Sequence, residues 1–251
     1  MTSRDLLSPS EAALALYIDF EGGQNLPPSF IGIRTREGAD VFEQVVVEHQ
    51  LFRTLDLPNP RDHGWPKGYV PVDANPSDRV RPHRGSDTFS GMVAALVARA
   101  ELQERLIVSW SSYEREHIVA SSAVSSDLKE RFARRWRDAK LTAKAWRKVT
   151  RPSAQVERLR GRGRHRLACY MELIDYRIPA HFGDRQASSR IAAVRDQLKN
   201  GRPTHNLTAV AKAKWTKVLD YNWHDCKGMR EVAIRAAIGL ANAGLQDEEV
   251  A

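Results

Sequence analysis

Three short stretches of this 251-residue chain carry acids at spacings suited to holding a metal ion. The first is Asp19-Phe20-Glu21, which closes the apolar run that begins at Ala12. On a strand, residues two apart project to one face, so both carboxylates point the same way, about 6 to 7 Å apart. Two charges at the end of an apolar strand repel each other and resist desolvation. A hard divalent cation is the simplest remedy, and an exposed strand end is the plain alternative. The second stretch, Leu106 to Ile118, reads as a short buried strand ending in a Ser-rich cap, then a helix with Glu114 and Glu116 in its first turn. Acids there also serve as ordinary capping residues, and either glutamate is a candidate ligand. The third stretch, Asp220-Tyr-Asn-Trp-His-Asp-Cys, places Tyr221 and Asp225 at i and i+4, on one face of a helix. His224 is about 100° round that helix from Asp225, which suits a surface or supporting role better than catalysis.

In this order the three stretches resemble the RNase H-like superfamily, and specifically its DEDD 3′–5′ exonucleases. That family carries Asp-x-Glu on its first strand, an acid in the helix after the fourth strand, and a final acid in a late helix. In one subgroup a Tyr stands four residues before that final acid. The matching positions here are Asp19 and Glu21, Glu114, and Asp225 with Tyr221. The late motif is similar to that of RNase H-like domains of predicted RecB-family nucleases. Motif matches cover about a fifth of the chain, but the implied order of elements spans residues 14 to 240. Two positions depart from the pattern: Glu114 stands where the family usually offers Asp, and Asp220 stands where the other subgroup places His, so the Tyr subgroup fits better.

The resemblance implies phosphodiester hydrolysis by two Mg²⁺ or Mn²⁺ ions about 3.5 to 4 Å apart. Asp19 would bridge both ions, Glu21 and Asp225 would hold the one that activates water, and Glu114 would bind the other through water. Tyr221 would orient the attacking water, since a phenol of ordinary pKa, about 10, is a poor base at neutral pH. The implied activity is 3′–5′ exonuclease on DNA or RNA. A weakly active or inactive nucleic-acid-binding module of the same fold and a structure-specific endonuclease are the alternatives.

The elements that must position these acids follow from the hydrophobic pattern. Ala12 to Gly23, Ser29 to Arg34 and Asp40 to Val47 read as three strands of an antiparallel meander. Residues 56–88, crowded with Pro, Gly, Asp and Arg, read as a long loop or insertion. Met92 to Leu102 reads as a helix, as do Ser188 to Lys199 and Leu207 to Ala243. The expected architecture is α/β, a single RNase H-like domain over residues 1–251 with a mixed five-stranded sheet flanked by helices.

Charge is unevenly distributed. The chain carries +8, from 39 Lys and Arg against 31 Asp and Glu, but residues 129–166 alone hold 15 Lys and Arg against three acids. That segment, at +12, reads as a basic helical insertion between the second and third motifs, and the remainder is mildly acidic. It supplies the candidate nucleic-acid contacts: Arg134, Arg135, Trp136, Lys144, Arg147, Lys148, Arg160, Arg162, Arg164 and Arg166. Clustered Lys and Arg attract a polyanion by counterion release. Trp136 and Trp146, at helix-compatible spacing, either stack on unpaired bases or form the core of a helix. A single-stranded DNA or RNA end is the expected partner.

The longest apolar run, Ala12 to Ile18, is far short of the roughly 18 residues of a bilayer span, and the acids that follow it do not fit a secretory signal. Two cysteines, Cys169 and Cys226, make no disulfide framework and no zinc spacing, and fit a reducing cytoplasm.

Overall fold

A computed structural model describes residues 5–23, 27–48, 50–51, 79–80, 84–85, 88–150, 165–179, 186–199 and 207–244. Its centre is a mixed sheet. Strands β1 (Leu16–Glu21), β2 (Phe30–Glu37) and β3 (Ala39–Val46) form an antiparallel meander, as the alternating β-branched runs predict. Two-residue strands β4 (Arg79–Val80) and β5 (Arg84–Gly85) pair in parallel with the outer edge of β3. They fall within the 56–88 segment, most of which lies outside the described residues. On the other side, β6 (Ile107–Ser109) runs parallel to β1, and β7 (Trp136–Asp138) parallel to β6. The five principal strands therefore lie in the order β3-β2-β1-β6-β7.

The first strand is shorter than the apolar run suggests. Residues 9–14 form a helix, α1 (Pro9–Leu14), because a capping box nucleates it: the Ser8 hydroxyl accepts from the Glu11 N–H, and Glu11 accepts from the Ser8 N–H. Pro9 opens the first turn, where its missing N–H costs nothing. A run of Ala and Leu has no period that separates helix from strand, so the cap decides.

Along β1 the side chains alternate between two cores. Leu16, Ile18 and Phe20 face one layer, packed against Phe89, Val93, Leu96, Val97 and Ala100 of α2 (Phe89–Leu102). The same core takes Ile118 of α3 (Tyr113–Ala120) and Leu128 and Phe132 of α4 (Ser126–Arg135). Tyr17 belongs to the opposite core, with Met229, Ala233 and Ala237. Those residues belong to a 34-residue helix, Ala209–Asn242, that spans this face of the sheet. In chain order it is α8, after α5 (Ala139–Thr150), α6 (Leu167–Leu173) and α7 (Ala187–Lys199), all three of which pack against it. By alternation, Asp19 and Glu21 share the face of Tyr17 and point toward α8.

Residues 129–150 of the basic segment are not an excursion from this fold. Their charge conceals an apolar stripe, Ala139, Thr142, Ala143 and Trp146, that buries α5 against α8. Residues 136–138 are the edge strand β7, so Trp136 is extended and not helical, and the two tryptophans share no helix face. Trp146 is core: its indole lies over Gly239 of α8, where a Cβ would stand 2.5 Å from the ring. Residues 151–164 lie outside the described residues. Among the described residues no helix is long and apolar enough to cross a membrane.

Trp146→Ala is expected to cost about 3 to 5 kcal/mol in urea unfolding, the usual loss for emptying a buried tryptophan site. Lys148→Ala, on the exposed side of the same helix, should stay within about 0.5 kcal/mol. Equal effects would return α5 to the periphery.

Candidate metal centre

Three acids meet where the end of β1 faces the middle of α8. Asp19, Glu21 and Asp225 each offer an oxygen, and these atoms all lie within 4.8 Å of one another. The sequence separation of 206 residues between Asp19 and Asp225 is closed by the packing of α8 across the sheet. Glu21 is buried, and Asp19 and Asp225 are half-buried. Tyr221, half-buried, precedes Asp225 by one turn of the helix.

The structure separates the two glutamates of α3. Glu116 is exposed and accepts a hydrogen bond from the Ser112 hydroxyl at 2.6 Å, so it stabilises its own helix start. Glu114 is 5% exposed, and its Oε2 is buried with no hydrogen bond among the described residues. It stands outside the group of three, but its charge is felt there: it helps raise the pKa of Glu21, and Asp19 helps raise its own.

Four acids in so dry a place perturb one another. Burial pushes Asp19 up to about 7, against the pull of hydrogen bonds from Asn222 and Glu21. Glu21 rises well above the usual carboxylate range, first through burial and then through the charges of Asp19, Asp225 and Glu114. Glu114 is pushed up to about 8 by burial and then by Asp19. The convergent oxygens of Asp19, Glu21 and Asp225 are the donor set of a hard cation such as Mg²⁺ or Mn²⁺, and Glu114 nearby keeps a buried oxygen with no hydrogen bond among the described residues. The residues present fit such an ion.

Asp19 is held by an amide relay absent from the sequence-based expectation. Asn222 Nδ2 donates to Asp19 Oδ2 at 2.7 Å and to the Asp19 carbonyl at 3.2 Å. Gln44 Nε2 donates to Asn222 Oδ1 and to the Leu219 carbonyl, both at 3.0 Å. The sheet register explains the arrangement: Asp19 pairs with Gly32, and Gly32 with Gln44, in one row across β1, β2 and β3. The Asn222 amide lies over the gap that Gly32 leaves, and a Cβ there would fall 2.2 Å from Asn222 Oδ1. A glycine interrupting a β-branched strand is the sequence signal of such a close approach, and Asn222 precedes Asp225 by three residues on the same helix.

The remaining candidates are scattered. His224 is buried and shares a hydrogen bond with Tyr176 Oη at 2.9 Å, a structural pairing and not a surface position. Asp220 is also buried. Trp136 donates through Nε1 to Ser109 Oγ and lies under the Arg115 guanidinium. Arg134, exposed, and Arg135, half-buried, end α4. Lys144 and Lys148 are exposed on α5, Arg147 covers the Tyr170 ring, and exposed Arg166 immediately precedes α6. Because α4 and α5 pack on opposite faces of the sheet, these residues do not form one surface. Arg160, Arg162 and Arg164 lie outside the described residues. Compared with family models, curated proteins and solved structures, the chain shows no match.

The raised pKa values set a pH dependence. An acid whose pKa is higher folded than unfolded binds more protons in the folded state, so stability falls as pH rises from the unfolded value, about 4, through the folded one. With Asp19 near 7 and Glu114 near 8, the Tm in EDTA is expected to fall between pH 5 and 8. Mn²⁺ should raise it far more at pH 8 than at pH 5. A Tm unaffected by Mn²⁺ at both pH values would contradict a metal centre.

Proposed function

We propose that this chain is a metal-dependent nuclease of the RNase H-like superfamily, a DEDD-type 3′–5′ exonuclease of the Tyr subgroup acting on DNA or RNA. The observation that carries the reading is the meeting of Asp19, Glu21 and Asp225 within 4.8 Å, with Glu114 buried beside them. The sheet order, three antiparallel strands followed by two parallel ones beside β1, agrees with the family resemblance of the motifs.

Two Mg²⁺ or Mn²⁺ ions held by these carboxylates would acidify water and neutralise charge on the leaving oxygen. The chain's own residues have narrower tasks. Asn222 and Gln44 fix the Asp19 carboxylate in one orientation, so little reorganisation remains when substrate binds. Tyr221, one turn before Asp225, holds the attacking water by hydrogen bond. Glu114, buried, adds negative charge that is felt at Glu21, and the apolar core behind β1 keeps the site dry. The +12 charge of residues 129–166 attracts the polyanion from solution, although its described residues do not form one contact surface.

Glu114's position outside the group of three favours the second reading, a module that binds nucleic acid and has lost efficient hydrolysis. One assay separates the two. With Mg²⁺ or Mn²⁺ the protein is expected to shorten a 5′-labelled single strand stepwise, and Asp19→Ala and Asp225→Ala should each lose about 10³-fold or more in rate. Full activity in both variants would sink the proposal. Salt-sensitive binding without turnover under any divalent ion would favour the binding module, and cutting of a circular single strand would mark an endonuclease.

A further inference from the structure

Three arginines among the described residues are buried: Arg34, Arg190 and Arg230. Arg34 is paired with Asp40 at 2.9 Å, and Arg230 lies within 3.5 Å of the same carboxylate. Half-buried Arg99 and Arg195 are likewise tied to Glu37 and Glu43, and to Glu48. Arg190, 8% exposed, is different. Its side chain makes one hydrogen bond, from Nη2 to the neutral Oε1 of Gln186 at 2.7 Å, and has no carboxylate within salt-bridge distance among the described residues. A buried charge without a counter-ion is costly to a fold, and proteins keep one where a ligand supplies the opposite charge.

Its place in the fold says where that ligand sits. Arg190 lies in the first turn of α7, one residue before Ile191, whose side chain enters the core shared with Val218 and Leu219 of α8. Two residues earlier, Ser188 donates to the carbonyl of Gly22, the residue that follows Glu21, at 2.6 Å. The start of α7 is therefore fastened to the end of β1. Arg190 thus lies on the helix turn that is fastened to Gly22, next in chain to the acidic end of β1, and Tyr221 of α8 contributes to its electrostatics. The first-turn N–H groups of α7 add partial positive charge to the same place.

Resting on the nuclease reading, we infer that Arg190 is the phosphate seat of the site: it binds, as a fork, the backbone phosphate next to the one being cut. The carboxylates and their cations hold the reacting ester; Arg190 holds its neighbour and sets the register of the strand. A guanidinium suits this because it offers paired donors to two phosphate oxygens. This also supplies a counter-charge that no carboxylate among the described residues provides.

The test uses the full chain, Ca²⁺ and the single strand dT8, with one neutral methylphosphonate replacing each of the last four linkages in turn; binding is read by fluorescence anisotropy. At one linkage, removing the charge should weaken wild-type binding about tenfold, and Arg190→Gln should weaken binding of the unmodified strand about equally. The two changes together should cost no more than either alone. Arg190→Lys, which keeps the charge but not the fork, should fall between. Because Arg190 pairs with no carboxylate among the described residues, the Tm of Arg190→Gln should be unchanged or higher. Independent losses at all four linkages, or a Tm lowered by more than about 5 °C, would overturn the inference while leaving the nuclease reading intact. Failure of the wild type to bind dT8 at all would overturn both.

Discussion

Like-charge crowding at the end of β1 is the constraint that organises this molecule. Asp19 and Glu21 leave the strand on the face that the α8 helix covers, and Asp225 comes down from that helix to meet them. In a medium of low dielectric, three carboxylates within 4.8 Å cannot all be ionised without a compensating charge. Asp19 and Glu21 have raised pKa values, first through burial and, for Glu21, then through the charges of Asp19, Asp225 and Glu114. Such an arrangement is a liability for folding alone, and strongly perturbed acids of this kind cluster at functional sites.

The rest of the fold reads as support for that liability. Alternation along β1 sends Leu16, Ile18 and Phe20 to one core and the acids to the other side, so a single strand anchors the sheet and arms the site. The relay from Gln44 through Asn222 to Asp19 crosses three strands in one row, and Gly32 makes room for it by lacking a side chain. Asp19 is thereby oriented by neutral amides, which fix it without neutralising it. An arginine in the place of Asn222 would settle the charge and remove the reason for a metal.

Much of this was readable from residue types. The meander of β1 to β3, the strand before α3 and the helices α2, α7 and α8 follow from periodicity, and the motif resemblance singled out Asp19, Glu21 and Asp225, which the fold brings together. What escaped has particular causes. Helix α1 lies in an Ala and Leu run without contrast, although Ser8 and Glu11 carried the capping signal. Strand β7 is three residues, Trp136, Arg137 and Asp138, between two helices in a basic segment; it is a strand because β6 lies beside it, a tertiary fact. The net charge of residues 129–166 hid the apolar stripe that buries Trp146. The Gln44–Asn222 contact joins positions 178 residues apart, and Glu114 is distinguished from Glu116 only by burial.

The central claim is that the carboxylates of β1, α3 and α8 form one cation site. Crystals soaked in Mn²⁺ at pH 8 test it directly through anomalous scattering. The account predicts one or two strong peaks ligated by Asp19, Glu21 and Asp225, with Glu114 within reach directly or through water. Full Mn²⁺ exposure with no peak at these residues, their carboxylates remaining apart, would contradict it.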